Sequence, residues 1–308
     1  MRFLKTCSAA LEKESGADMK IYNVGSVNVD HVYQVPHFVR AGETLASASL
    51  QQFPGGKGLN QSVALGKAGA NVRHCALLNA ADTWLIDVLR EAKVDVSRIH
   101  TVSEPTGHAI IQVDETGQNC ILLYPGANHC FTSSHFAQAL ADAKEGDILL
   151  LQNEINGLAE LFTLAHSKGM QIAWNPSPFD RSLLDLPLEY VTWWVVNETE
   201  GSGLTGLNAP EEILDAMSSR FPHSNVILTV GKNGSYFRNA EQRFHVPAVP
   251  TEAVDTTAAG DTFTGYFLAM IAKGKTITEA LQIATKAAAI SVSRKGAAVS
   301  IPWAQEVL

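Results

Sequence analysis

Asp255-Thr256-Thr257-Ala258-Ala259-Gly260-Asp261-Thr262-Phe263-Thr264-Gly265-Tyr266-Phe267 is the stretch whose reading decides the fold. Val254 ends an apolar, strand-like approach to it, and an apolar helical run starts at Phe263 and continues through Met270 and Ile271. Between them, Ala258, Ala259 and Gly260 carry little or no side chain, so a ligand can come close to the backbone. A helix opening at this turn leaves several main-chain N–H groups without intrahelical partners. Those groups and the helix dipole favour an anion, above all a phosphate. Asp261 is a carboxylate beside that anion site, where it repels phosphate unless it has another task. The task that fits is taking the proton from a hydroxyl that attacks phosphorus. In isolation the same residues also suit a plain helix-opening turn packed on a sheet, with Asp261 facing the dipole.

A chain of 308 residues allows one large α/β domain or two small ones. With 46% hydrophobic and 18% charged residues it can bury a substantial core. A formal charge of −8 argues against a general nucleic-acid binder, whose footprint is basic. A phosphate site needs only a local positive field. Cys7, Cys75, Cys120 and Cys130 show no CxxC or zinc-ligand spacing, and reduced thiols in a cytoplasmic protein are expected. No apolar run reaches the ~18 residues of a membrane helix. Met1 to Lys20 lacks the sustained apolar region of a signal peptide, and residues 1–19 read as an N-terminal extension without assigned function.

Working back along the chain, Ile21 to Gly25 reads as a buried strand, and Asn28 and Asp30 follow at its carboxyl end, where open α/β sheets bind ligands. In extended chain these two side chains share a face; an Asx-type turn suits them equally. The single Gly25 gives no G-x-G-x-x-G dinucleotide fingerprint. Pro54-Gly55-Gly56-Lys57-Gly58-Leu59-Asn60-Gln61 leads into a helix ending near Gly69. Its glycines suit a nest of backbone N–H groups, or a turn with a solvated lysine; the Gly-Lys-Ser/Thr ending of a Walker loop is missing. Strand-like pieces around 32–35 and 45–53, and a hairpin over Thr106 to Tyr124 turning at Asp114 to Gln118, carry apolar residues on both faces. From residue 146 strands and helices alternate: strands at Asp147–Leu151, Gln171–Trp174, Val191–Val196 and Asn225–Val230, and a long helix at Ile277–Ser293. Such alternation indicates a mostly parallel sheet covered on both faces.

The string at 255–265 resembles the D-T-x-[AG]-A-G-D-x-F-x-G signature of the ribokinase family of sugar and nucleoside kinases, and Gly55 to Asn60 resembles its G-G-K-G-x-N signature. The resemblance runs in the family's order over roughly residues 20 to 303. It implies an α/β, three-layer ribokinase-like fold with a mostly parallel central sheet and a small β-sheet lid. The kinase domain would span 20–308, with lid segments at about 31–53 and 106–124. It implies an anion hole from Ala258, Ala259 and Gly260 with Asp261 as base, and sugar contacts from Asn28, Asp30, Gly55, Gly56, Lys57, Asn60 and Glu154. On the ATP side it implies Asn197, Thr229, Gly231, Gly234 and Thr285, with Glu200 near Mg²⁺. A monovalent cation, K⁺, would lie among Asp255, Thr257, Ser291, Arg294, Gly296 and Ser300. Where the family often has G-x-D-x-x-G, this chain reads Leu78-Asn79-Ala80-Ala81-Asp82-Thr83-Trp84, which sets Asp82 apart from a family-type contact.

The expected activity is therefore transfer of the γ-phosphoryl group of ATP to the primary 5-hydroxyl of D-ribose. Asp30 and Glu154 can accept from adjacent hydroxyls, while Asn28, Asn60 and Lys57 donate. That many polar groups suit a small hydroxylated sugar better than a nucleoside, whose base needs a stacking wall. A same-fold kinase for another sugar or nucleoside is one alternative. A non-catalytic sugar sensor is another, disfavoured by the intact Asp261 string. Expected partners are the sugar and ATP, with no nucleic acid or membrane, and a second copy of the chain paired through the lid.

Overall fold

The structure, a computed structural model, describes residues 19–308, so the expected N-terminal extension falls outside the described residues except for Met19. Among the described residues, thirteen strands make two sheets. The larger is built from β1 (Ile21–Val24), β4 (Val72–Asn79), β5 (Asp95–Val102), β8 (Ile148–Leu151), β9 (Gln171–Trp174), β10 (Val191–Asn197), β11 (Asn225–Thr229), β12 (Ser235–Arg238) and β13 (Arg243–Val246). Its order is β13-β12-β11-β10-β9-β8-β1-β4-β5, parallel from β11 through β5 and antiparallel only at the β11/β12 and β12/β13 pairings. The smaller sheet is the lid, ordered β3-β2-β6-β7 from β2 (Asn28–Gln34), β3 (Ser49–Gly55), β6 (Gly107–Val113) and β7 (Asn119–Tyr124).

Side-chain alternation assigns the two faces of the large sheet. Along β8, Ile148 and Leu150 join one core while Leu149 and Leu151 join the other, and all four are fully buried. The first core is covered by α1 (Lys57–Lys67), α7 (Ala259–Ala272) and α8 (Ile277–Val292), through Leu59, Val63, Phe267 and Ala284 among others; α2 (Trp84–Glu91) adds Leu85 and Leu89. The second is covered by α3 (Ser133–Ala139), α4 (Leu158–Ser167), α5 (Glu198–Thr205) and α6 (Pro210–Arg220), around Phe162, Trp174 and Trp194. A short α9 (Ala304–Val307) closes the chain. Fully burying a leucine or phenylalanine stabilises by roughly 1.5–3 kcal/mol, so two-sided burial makes the central strands a rigid platform. The site stands at their carboxyl ends.

One close approach sets the geometry there. A Cβ on Gly265 would lie 2.4 Å from the Cβ of Ala64 and 2.9 Å from the carbonyl of Gln61. Only glycine lets α7 come this near α1.

Several expectations change. The approach through Val254 is no strand: residues 247–258 run as irregular chain and Val254 is 55% exposed. Its N–H goes to the carbonyl of Val292 at the end of α8 rather than to a strand, so the segment joins no ladder. Asn28 and Asp30 sit in the first residues of a lid strand rather than an Asx turn. Strands β5, β12 and β13 and helices α3, α5 and α6 add to the elements read from sequence. At the altered 78–84 loop, Asn79 accepts from Ala81 N and donates to the carbonyls of Ser103 and Glu104, replacing a glycine turn by a capped one. Asp82 takes part in no side-chain hydrogen bond among the described residues.

Candidate active site

At the start of α7, Ala258 adopts φ 60 and ψ 12 and serves as the N-cap. Ala259 N is bonded to Thr256 O and Thr262 N to Ala258 O, while the N–H groups of Gly260 and Asp261 take no partner among the described residues. A Cβ on Gly260 would meet nothing within 4 Å, and Ala258 to Asp261 border open space. That space is a cavity of about 210 Å³ whose lining includes Lys57, Asn197, Glu200, Thr229, Ala258 to Asp261 and Thr264. Asp261 itself is only 7% exposed. Its Oδ2 accepts from Asn60 Nδ2 at 3.1 Å and its Oδ1 from Gln61 Nε2 at 2.9 Å. Free donors for an anion thus stand on, and one residue before, the residue that carries a fixed carboxylate.

The glycine string and the lid bring together the residues expected on the acceptor side. Gly55 pairs with Asn28 across β3 and β2, and a Cβ there would lie within 2.2 Å of the Asp30 carboxylate. Gly56, at φ 92, caps α1 so that Lys57, Asn60 and Gln61 project at i, i+3 and i+4 from one face. Asn28 Oδ1 accepts from Asn128 Nδ2 at 2.7 Å, which fixes its amide. Glu154 Oε2 accepts from Lys57 N at 2.9 Å and from the Ser26 hydroxyl. Burial raises the Glu154 carboxyl above its usual range despite the opposing pull of Lys57. Burial also opposes the Lys57 charge, but Asp261, Glu154 and Glu200 outweigh it and raise its pKa. Lys57 therefore links Glu154 to the cavity at α7.

Burial, and then the charge of Glu154, push the Asp30 carboxyl up to about 6. A sugar hydroxyl donating to Asp30 favours the ionised form. Acceptor binding should then be strongest above about pH 6 and weaken as pH falls through it. We expect KM for the acceptor to rise on the acid side while KM for the nucleotide does not. A sugar KM that is flat through about pH 6 would remove Asp30 from the contact.

On the opposite wall, Asn197 caps α5: its Oδ1 accepts from Glu200 N at 2.9 Å, and Glu200 accepts in return from Asn197 N at 3.0 Å. Glu200 also accepts from Asn175 Nδ2 at 3.2 Å, and burial raises its pKa. Thr229 stands beside them at the end of β11. Gly231, Gly234 and Thr285 lie outside the cavity lining. Glycine at 234 answers to packing, since a Cβ would fall 2.1 Å from Val246 O. Thr285, on α8, has a buried hydroxyl without a partner among the described residues.

The cation candidates divide into three groups. Asp255 bridges two segments, accepting from Thr257 N and Gly296 N at 2.9 Å each; these hydrogen bonds outweigh burial and lower its pKa. Ser291 and Ser300 are buried hydroxyls 2.8 Å apart. Arg294 turns its guanidinium away to Glu306, at 2.7 Å.

Gln61 and Asn175 were not singled out by sequence reading. The i, i+3, i+4 spacing with Lys57 and Asn60 was the signal for Gln61. Asn175 has none, because it arrives from β9 only when the sheet is assembled.

The family described as pfkB family carbohydrate kinase matches residues 19–304. The chain belongs to the pfkB family of carbohydrate kinases and has the ribokinase-like fold. Within that family it is 35% identical to a ribokinase from Haemophilus influenzae over 294 residues, covering 92% of this chain and 96% of that protein. Ribokinase from Thermotoga maritima superposes with a TM-score of 0.82 at 34% identity, covering 94% of this chain and 98% of that one. Arabidopsis thaliana ribokinase, in a complex with ribose and ATP, gives 0.82 at 28% identity, covering 94% and 96%.

Proposed function

We propose that the chain is an ATP-dependent ribokinase that phosphorylates the primary 5-hydroxyl of D-ribose. The observation that carries this is the pairing of unpartnered N–H donors at Gly260 and Asp261 with the clamped Asp261 carboxylate, beside the polar pocket of Asp30 and Glu154. The complex of the Arabidopsis relative with ribose and ATP supports the choice of substrates. Ribose lies under the lid, with Asn28, Asp30, Asn60 and Glu154 on its hydroxyls. Asp261 takes the 5-hydroxyl proton as that oxygen forms a bond to the γ-phosphorus, and the bond from γ-phosphorus to the bridging oxygen of ADP breaks. The α7 N-terminus and Lys57 offset the charge on the transferring group. Phosphorus NMR of the product should show ribose 5-phosphate; a 1-phosphate would overturn the assignment of the attacking oxygen.

Mg²⁺ would arrive with the triphosphate and neutralise part of its charge. Glu200 fits this ion through water, because its carboxylate already accepts from Asn197 and Asn175. A monovalent cation fits beside Asp255, whose bonds to Thr257 N and Gly296 N bring the 255–257 and 294–300 segments together. Ordering these segments would set the α7 donors, so turnover should be faster in K⁺ than in Na⁺ at fixed ionic strength. Equal rates in both would remove the cation proposal.

We read residues 20–308 as one kinase domain with lid segments at 31–53 and 106–124, and place the protein in the cytoplasm. No helix among the described residues is long and apolar enough to cross a membrane. Cell fractionation tests the placement.

The lid is proposed to pair two copies. Every residue of β7 is exposed. Register aligns Asp30 with Phe53 and Ala109, Ala109 with Leu123, and Ile111 with Ile121, so one face carries Phe53, Ile111, Ile121 and Leu123 alongside Asp30. Ile121 and Leu123 are each 52% exposed. An apolar face continuous with the sugar pocket is suited to a partner lid. Leu123→Glu should dissociate the dimer in sedimentation and raise the sugar KM, while Leu122→Glu, on the other face, should do neither. A native chain that sediments as a monomer at micromolar concentration would contradict this.

A further inference from the structure

Beneath the catalytic carboxylate lies a buried chain of amides that the reaction as described does not use. Gln61 is fully buried. Its Nε2 donates to Asp261 Oδ1 at 2.9 Å and to Asn175 Oδ1 at 3.1 Å, and its Oε1 accepts from Gln152 Nε2 at 2.6 Å. Both N–H donors and the carbonyl are engaged, so the amide has a single orientation. Gln152 Nε2 is itself held by Asn23 Oδ1 at 3.1 Å. On the other side, Asn175 Nδ2 donates to Val195 O at 3.0 Å and to Glu200 Oε2 at 3.2 Å.

We infer that Gln61 is a positioning residue for phosphoryl transfer: its amide fixes the Asp261 carboxylate and, through Asn175, ties it to Glu200 on the nucleotide side. A carboxylate turns about two side-chain bonds, and a base is efficient only when a lone pair is aimed at the proton it takes. Asn60 holds Oδ2 and Gln61 holds Oδ1, leaving each oxygen a further lone pair for the substrate hydroxyl. The distance is set by the fold. Gly265 lies one turn after Asp261 and packs on the Gln61 carbonyl and Ala64, so the helix contact itself delivers the amide to the base. A purely structural use is a weak explanation, because apolar side chains would pack the same space without buried polar groups to satisfy. Asn175 extends the link to the cap of α5, so a shift of Glu200 on nucleotide binding would reach Asp261 through two amides.

This inference rests on the reading of Asp261 as the base, and a double-mutant cycle separates the two. Gln61→Met keeps volume and removes the donors; in the native background it should lower kcat roughly 10–100-fold with both KM values nearly unchanged. In an Asp261→Asn background, where no base remains to be aimed, Gln61→Met should cause little further loss. The same fractional loss in both backgrounds, or a change confined to KM, would overturn the inference. Near-normal turnover by Asp261→Asn alone would instead overturn the base assignment. Should Gln61→Met fail to fold, Gln61→Asn enters the same cycle. It keeps an amide in the network but is one methylene too short to span Asp261 and Asn175.

Discussion

Asp261→Asn should retain sugar and nucleotide binding and lower kcat by roughly 10²–10⁴, the usual span for a lost general base. The substitution keeps the side-chain shape while removing the basic oxygen. It also sets an amide N–H₂ against one of the two donors that now hold the carboxylate, Asn60 Nδ2 or Gln61 Nε2. A modest loss of stability should therefore accompany the kinetic defect. The anion hole is main chain and stays in place, so the nucleotide KM should hardly move. Near-normal turnover in a folded variant would remove Asp261 from the chemistry.

Lys57→Met should have the next largest effect. Lys57 lines the same cavity as the α7 donors, and Asp261, Glu154 and Glu200 all raise its pKa. Its ammonium is the cation that offsets these three carboxylates and that a transferring phosphoryl group would meet. Losing one such electrostatic group should lower kcat by about 10²–10³. The unfolding temperature should fall as well, and by more as pH rises. Without Lys57, Glu154 and Glu200 have folded-state pKa values raised still further above their unfolded ones. Stability is then present while they are protonated and is lost as pH rises through the folded values. A kcat within a few-fold of native, or a Tm deficit that shrinks with rising pH, would contradict this role.

The parts of the site visible in the sequence are those whose chemistry is local. A helix N-terminus announces itself by small residues and a first-turn aspartate, and Ala258 to Asp261 stand there as expected. Gly55 read only as part of a glycine nest or turn, and that it yields to the Asp30 carboxylate emerges only from strand pairing. The partners of Gln61 and Asn175 were not legible, because they lie 200 and 25 residues away, at Asp261 and Glu200. Val254 misled for the same reason in reverse: β-branched composition suggests a strand, but pairing depends on a neighbouring strand, and the Val254 N–H goes instead to the carbonyl of Val292 at the end of α8. The antiparallel β12–β13 ribbon is built from strands of four residues each, too short for periodicity to distinguish. Lid strands were legible as strands. Which face pairs with the site required the register of β2 with β3 and β6.

The central claim is tested most directly by ATP consumption with D-ribose, 2-deoxyribose, fructose and adenosine, compared as kcat/KM in one buffer with K⁺ and Mg²⁺. Asp30, on the lid strand β2, and Glu154 are half-buried acceptors, and a site built to bond a hydroxyl leaves its own groups unpaired when that hydroxyl is missing. Ribose should therefore lead, with deoxyribose poorer by roughly 10²-fold or more. Adenosine or fructose outperforming ribose would leave a carbohydrate kinase of this family standing and contradict the assignment of ribose as its acceptor.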